Sequence, residues 1–202
     1  MIALASGCSV LEPQEDHTRY FVLTPTSGEN STPPAKAVST SHDLLVGLGP
    51  ITLPQYLERP EVITRLSDTE FSASNNDRWG EPLDASVLRV LAQDLASHLP
   101  NSEIVAFPWS KKAPIDYRIS VEFRRLERTA DGRTVVQAVW TLRTGSDNRV
   151  LRTGTTTAIG SAGNDQSSAS AALSQGVGQL SAQIAAAVET HIQQETAAHA
   201  RI

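Results

Sequence analysis

The chain has 202 residues and a formal net charge of −5, enough for one full domain with tails and without the clustered positive charge that nucleic acid requires of a main partner. Hydrophobic residues make up 40% and aromatics 5%, the composition of an ordinary globular domain whose core is lean in rings. No run approaches the roughly 18 consecutive apolar residues of a membrane-spanning helix. The chain opens on Met1-Ile2-Ala3-Leu4-Ala5-Ser6-Gly7, apolar and small, and this run ends directly at Cys8, the only cysteine. With one cysteine no internal disulfide can form. The following residues through 19, SVLEPQEDHTR, read as a short polar tether.

A single domain is expected over residues 20–199. Tyr20-Phe21-Val22-Leu23 predicts a first strand, ended by Thr24-Pro25. Residues 26–41 are rich in Ser, Thr and Pro and predict a surface loop or disordered linker. It joins strands of one domain, because a lone short strand cannot fold by itself. The central stretch, VGLGPITLPQYLERPEVITR over residues 46–65, reads as strand, proline-marked corner and strand. Gly49-Pro50 interrupts the first strand, and Pro54 and Pro60 bracket an insert too confined for a long helix. Val62-Ile63-Thr64 resumes β-rich composition. Residues 70–73 predict another short strand and Ser74-Asn75-Asn76-Asp77 a turn. A second corner follows at Arg78-Trp79-Gly80-Glu81-Pro82-Leu83.

Asp84 is expected to cap the first helix, with Leu88, Leu91, Leu95 and Leu99 as its apolar stripe, Ala92 beside them and Pro100 as its stop. Residues 104–107 predict a strand ended by Pro108-Trp109. Long alternation then begins: Tyr117, Ile119, Val121 and Phe123 point one way and Arg118, Ser120, Glu122 and Arg124 the other. Arg125-Leu126 breaks that phase and predicts a bulge. Asp131-Gly132 makes a hairpin turn, Val136, Ala138, Trp140 and Leu142 line the return strand, and residues 145–148 turn into a third strand over 150–158. Residues 160–166 predict a flexible connection. A long helix is expected from about 168 to the late 190s, with Leu173, Val177, Leu180, Ile184, Val188 and Ile192 as its stripe. The fold class that fits is α+β, a mostly antiparallel sheet with two helices on one face; the other face carries the arginines.

The chemistry of known active sites finds little support. His17, His42, His98, His191 and His199 stand in no nucleophile or metalloprotease pattern. Neither ligand spacing for a metal nor a phosphate loop is present, since Gly47-Leu48-Gly49-Pro50 does not open a helix. No catalytic residue, metal site or cofactor is expected, and the chain is read as a non-enzyme. Arg59, Arg65, Arg78 and Glu81 differ in setting, because they lie among apolar and proline residues. One reading is an internal pair between a partly buried arginine and a carboxylate, which fixes the corner. The other is an exposed rim of Tyr56, Arg59, Arg78 and Trp79 where a partner protein docks. Residues 111–152 hold ten Lys and Arg against five Asp and Glu, +5 in a chain whose remainder sums to −10. That block is either a set of solvated strand faces or a docking face for an acidic partner or anionic head groups.

LPQYLERPEVITR, RWGEPL and FPW, in that order, resemble the auxiliary lipoproteins of ABC-type lipid transport systems, including the paraquat-inducible protein C-like lipoproteins encoded beside mammalian-cell-entry (MCE) proteins. The resemblance runs from Cys8 to the end of the last helix. It implies that Cys8 is the acylated residue of a lipoprotein signal, with Ser9 of the kind that outer-membrane sorting tolerates. Ala5 stands where leucine is commoner and no basic region precedes it, so the signal is expected to be truncated at its start or its start codon assigned too late. By this resemblance the chain is a non-enzymatic accessory lipoprotein of an MCE-type assembly, anchored by acyl chains on the periplasmic side of the outer membrane of a Gram-negative bacterium. Its partners are the MCE-domain protein and the membrane, and self-association stays open. The alternative is a periplasmic lipid carrier, which needs an apolar cavity of roughly 300–1,000 Å³; a hydrolase is a third class that no residue constellation supports.

Overall fold

Alternation and helical stripes sort the chain into β1 (Arg19–Phe21), β2 (Leu44–Thr52), β3 (Glu61–Arg65), β4 (Phe71–Trp79), α1 (Leu83–His98), β5 (Ser102–Ala106), β6 (Tyr117–Thr129), β7 (Arg133–Thr144), β8 (Val150–Ser161) and α2 (Gln166–His199). These elements come from a computed structural model that describes residues 15–26, 44–110, 112–163 and 165–199. Cys8, most of the tether, His42 and nearly all of the Ser/Thr/Pro-rich segment lie outside the described residues.

The fold is α+β. All eight strands belong to one sheet. The meander of β6, β7 and β8 is antiparallel throughout and supplies its longest ladders, because period-two alternation is sustained there over three consecutive runs. β6 is the organising strand. One of its edges is taken by β7 along nearly its full length. The other is shared, with β2 parallel to its first half and β3 parallel to its end. β5 extends the sheet beyond β2, and β4 then β1 extend it beyond β3. The sheet is thus mixed, with long antiparallel ladders and shorter parallel ones.

The inward residues of β6 and β7 alternate as the sequence predicts: Tyr117, Ile119, Val121 and Phe123 face Val136, Ala138, Trp140 and Leu142 in the core. The ladder shifts register between Phe123 and Arg125, the bulge foreseen from the broken alternation. α2 lies over β7 and β8 with Leu173, Val177, Leu180, Ile184 and Val188 fully buried; Ile192, the last of its stripe, is half-buried. Each such side chain contributes on the order of 1.5–3 kcal/mol by leaving water. Two glycines set close approaches. A Cβ on Gly176 would stand 2.5 Å from Val136 Cγ2, and one on Gly154 would stand 2.3 Å from the Trp140 indole. The helix therefore seats directly on the sheet, and the indole lies flat across β8.

Several local expectations are corrected. β1 ends at Phe21, and Leu23 beyond it is fully buried without being in a strand. The 74–77 cluster does not end its strand: β4 runs on to Trp79, and the cluster becomes a bulge between the Glu61–Arg78 and Ile63–Ala73 pairs. The Ser74 hydroxyl accepts the Asp77 amide at 3.0 Å, which is turn chemistry used inside a strand. Pro82, not Asp84, precedes α1, and Asp84 sits in its first turn, where an acid still complements the helix dipole. The buried stripe of α1 is Val87, Val90, Leu91 and Leu95, with Leu88 and Ala92 only half-buried. The stripe is displaced because α1 packs on β2 and β5 to one side and on α2 to the other. β8 continues to Ser161, and α2 starts at Gln166.

Candidate functional site

The corner between β2 and β3 follows from the shared edge of β6. Thr52 pairs with Glu122 and Thr64 with Arg128, so the chain takes twelve steps where β6 takes six. The surplus leaves the sheet as residues 53–60. Pro54 starts it, and the amides of Leu57 and Glu58 bond back to the carbonyls of Pro54 and Gln55 at 2.9 and 3.2 Å. The result is a single 3-10 turn, Gln55–Leu57. Leu53 and Leu57 are buried and pin the insert to the core.

Under this insert lies Glu127, 1% exposed. Its carboxylate accepts the Tyr56 hydroxyl at 2.7 Å, Arg65 Nε at 2.8 Å and Arg125 Nε at 2.7 Å. Arg65 also donates to the Tyr56 hydroxyl at 3.1 Å and to the Asp68 carbonyl at 3.3 Å. The Tyr56 ring stacks on Phe71 with centroids 5.1 Å apart and carries the Arg65 guanidinium 5.5 Å from its centre. Burial pushes the Glu127 carboxyl up, but hydrogen bonds from Arg65, Arg125 and Tyr56 outweigh it and hold it below the usual carboxylate range. The same burial, with the bond to Glu127, pushes the Tyr56 phenol up to about 12.

Beside it is a more open network around Glu61. Arg78 Nη1 and Arg59 Nε each donate to this carboxylate at 2.9 Å, and with Arg78 as the larger cause they bring it down to about 2. The Trp79 amide donates to the Pro60 carbonyl at 2.7 Å, which ties the two proline corners together. Between them runs an open groove of about 620 Å³, with Pro60, Trp79 and Leu83 as apolar wall and Glu58, Arg59, Glu81 and Asp84 at its margin.

Of the four residues expected at a rim, Trp79 is 7% exposed and packs in the core. Tyr56 is half-buried with its hydroxyl on Glu127, and Arg78 is half-buried on Glu61. Arg59 alone projects, its side chain 45% exposed. The partly buried arginine of the alternative reading is Arg65. Its carboxylate is Glu127, whereas Glu81 pairs with Arg89 at 2.5 Å. Glu127 was hidden in the sequence by the bulge: unbroken alternation would set it in phase with Phe123 on the helix-covered face, whereas the shift brings Leu126 into the core beside Val136 and turns Glu127 to the opposite face, under the corner. Among the described residues no three His, Cys, Asp or Glu side chains gather to hold a metal, and no helix is long and apolar enough to cross a membrane.

The model of the family described as ABC-type transport auxiliary lipoprotein component matches residues 25–185. The chain is 25% identical over 137 residues to the intermembrane transport lipoprotein PqiC of Escherichia coli K12, an alignment covering 68% of this chain and 67% of that protein. A crystal structure of a Xanthomonas campestris protein superposes with a TM-score of 0.69 at 17% identity, covering 89% of this chain and 99% of that one. A second, of an uncharacterized protein, does so with the same TM-score at 21% identity, covering 85% and 98%.

Proposed function

The chain belongs to the ABC-type transport auxiliary lipoprotein family, and from that premise we propose that it is the membrane-anchored periplasmic accessory component of an MCE-type lipid transport assembly. Its role is a scaffold's: it holds the periplasmic part of the assembly at the outer membrane and performs no chemistry of its own. An auxiliary role in intermembrane transport follows from the family and from the similarity to PqiC. Cys8 carries the acyl chains, which supply the membrane affinity that no helix of the described residues provides.

One observation favours scaffold over carrier. The layer where an acyl chain would have to lie, between sheet and helices, is filled by Val46, Leu48, Leu91, Leu95, Ile119, Leu180 and Ile184, each fully buried. The 620 Å³ groove lies outside that layer, at the corner. There Arg59 is the projecting contact, Tyr56 and Arg78 hold the insert that carries it, and Pro60, backed by the buried Trp79, forms the apolar wall against which a partner side chain packs.

Two measurements test this. With an intact upstream signal supplied, palmitate is incorporated by the parent and not by Cys8→Ser; equal labelling of both defeats the anchor. The MCE-domain protein copurifies with the parent from detergent-solubilised envelopes, and its absence there defeats the accessory role.

A further inference from the structure

The basic block has a structural focus far from the corner. Arg118 on β6 and Arg143 on β7 are direct cross-strand partners, on the sheet face that the helices do not cover. Like charges placed opposite one another destabilise an antiparallel pair, so a sheet normally surrounds them with carboxylates. Here the nearby acids are engaged elsewhere. Asp116 accepts the Leu45 amide at 2.8 Å, Glu122 meets Arg124 at 3.0 Å, and Asp147 takes the Thr144 hydroxyl and the Arg149 guanidinium. Among the described residues neither Arg118 nor Arg143 has an ion-pair partner; Arg143 makes one contact, to the Asn148 carbonyl at 3.4 Å. The Nε of Arg118 is buried and without any acceptor, an unmet demand of the kind folded proteins seldom leave.

Aromatic surface adjoins the pair. Gly47 of β2 aligns with Arg118, and the Trp109 indole lies over it, 3.1 Å from where a Cβ would stand. Phe107 meets that indole edge-on with centroids 5.2 Å apart and is itself 45% exposed. Along β6 the patch lies about 33 Å from the point where β3 joins, at roughly 3.3 Å per residue.

We propose that Arg118 and Arg143, with Phe107 and Trp109 beside them, form a docking surface for an acidic segment of the partner protein, whose carboxylates complete the pair. This rests on the accessory role proposed above and adds an electrostatic contact separate from the corner groove. The chemistry selects protein over membrane. Two guanidiniums set opposite one another on neighbouring strands match the fork geometry of carboxylates, whereas binding to anionic lipid surfaces is read from clusters of roughly 4–8 mobile Lys and Arg. Exposed Phe107 supplies the apolar contact that interface cores favour.

The test uses the full-length lipoprotein, the soluble periplasmic part of the MCE-domain protein, and vesicles containing phosphatidylglycerol. The double substitution Arg118→Glu with Arg143→Glu preserves a like-charge pair and inverts its sign, so the melting temperature stays near the parent's. Affinity for the MCE-domain protein falls about tenfold or more, and parent binding weakens as salt is raised, since the screening length shrinks from about 10 Å at 0.1 M to 3 Å at 1 M. Arg143→Ala raises the melting temperature by up to about 3 °C, because it relieves the repulsion, while still weakening the partner. Parent binding undiminished by the reversal overturns the proposal alone. So does a reversal that abolishes vesicle binding, or that changes self-association, with partner affinity intact. A parent that never binds the MCE-domain protein overturns the accessory role and the docking surface together.

Discussion

Two glutamates in this protein each hold two arginines, and the same chemistry serves them differently. Glu127 lies under the corner, its side chain fully buried, between Arg65 and Arg125. Glu61 lies at the corner's outer side with its side chain 24% exposed, between Arg59 and Arg78. Both carboxyls sit below their ordinary range. Only the buried one is a structural necessity, because a carboxylate cut off from water depends on its arginines for all of its compensation. The exposed one stays in reach of solvent and, with it, of a partner. Burial rather than pairing decides which arginine fixes the corner and which is available to bind.

The strongest way to break that contrast is Glu127→Ala. It leaves two partly buried guanidiniums facing an emptied site and frees the Tyr56 hydroxyl. The expected cost is about 3 kcal/mol, at the low end for a broken buried pair because Arg65 and Arg125 each keep a solvent edge. At this chain length that lowers the melting temperature by roughly 6–12 °C. A loss no larger than that of Glu61→Ala would abolish the distinction between the two sites.

Tyr56→Phe sharpens it. The ring stack on Phe71 survives and only the hydroxyl is lost, a hydrogen bond to a charged acceptor costing roughly 1.5–3 kcal/mol. The parent's bond also has an alkaline signature. The folded phenol keeps its proton up to about 12 while the unfolded one titrates near 10. The contribution is therefore whole below pH 10 and is lost as pH rises through 12, and Tyr56→Phe shows no such decline. Glu61 has the opposite sign. Its folded carboxyl near 2, against 4.5 in the unfolded chain, binds fewer protons than the unfolded one, so its contribution is whole above pH 4.5 and is lost as pH falls toward 2. Melting curves of Glu61→Gln and the parent separate at pH 7 by less than those of Tyr56→Phe, and the gap closes in that acid window. A gap that persists to pH 2 would show that Glu61 acts through packing and not charge.

The meander, the two helices and the proline corner were legible because each is a periodic or conformational signal carried by neighbouring residues: Ile119 and Val121 declare their face by spacing, and Pro54 and Pro60 limit what lies between them. Partners across the fold were not. Glu127 is 62 residues from Arg65, and nothing local distinguishes it from the exposed Glu122. Trp79 read as rim because an aromatic between arginine and glycine looks like surface, yet the ladder to Glu61 and the Pro60 carbonyl turn its ring inward. The parallel strands β2 and β3 were equally silent, since strand composition does not state which edge will receive them. The family resemblance supplied what spacing could not, a place for the chain in a transport system.

The smallest effect on stability is expected at Arg59, and it discriminates most. Its guanidinium sits on Glu61 at 2.9 Å, but with its side chain 45% exposed such a pair is worth about 0–1 kcal/mol. Arg59→Glu removes that pair and sets a carboxylate near Glu61, while Arg78 remains on Glu61 as counter-charge and solvent screens the repulsion. The melting temperature should therefore move by no more than roughly 4 °C. Copurification with the MCE-domain protein should weaken, since a partner carboxylate that met Arg59 now meets a like charge. Both quantities are read on the same preparation. Lost binding with an unchanged melt identifies Arg59 as the projecting contact of the corner groove. Lost binding with a collapsed melt would make Arg59 as structural as Arg65, and the contrast between exposed and buried glutamate would fail. Retained binding with an unchanged melt would remove the corner from the interface and leave the Arg118–Arg143 face to carry it alone.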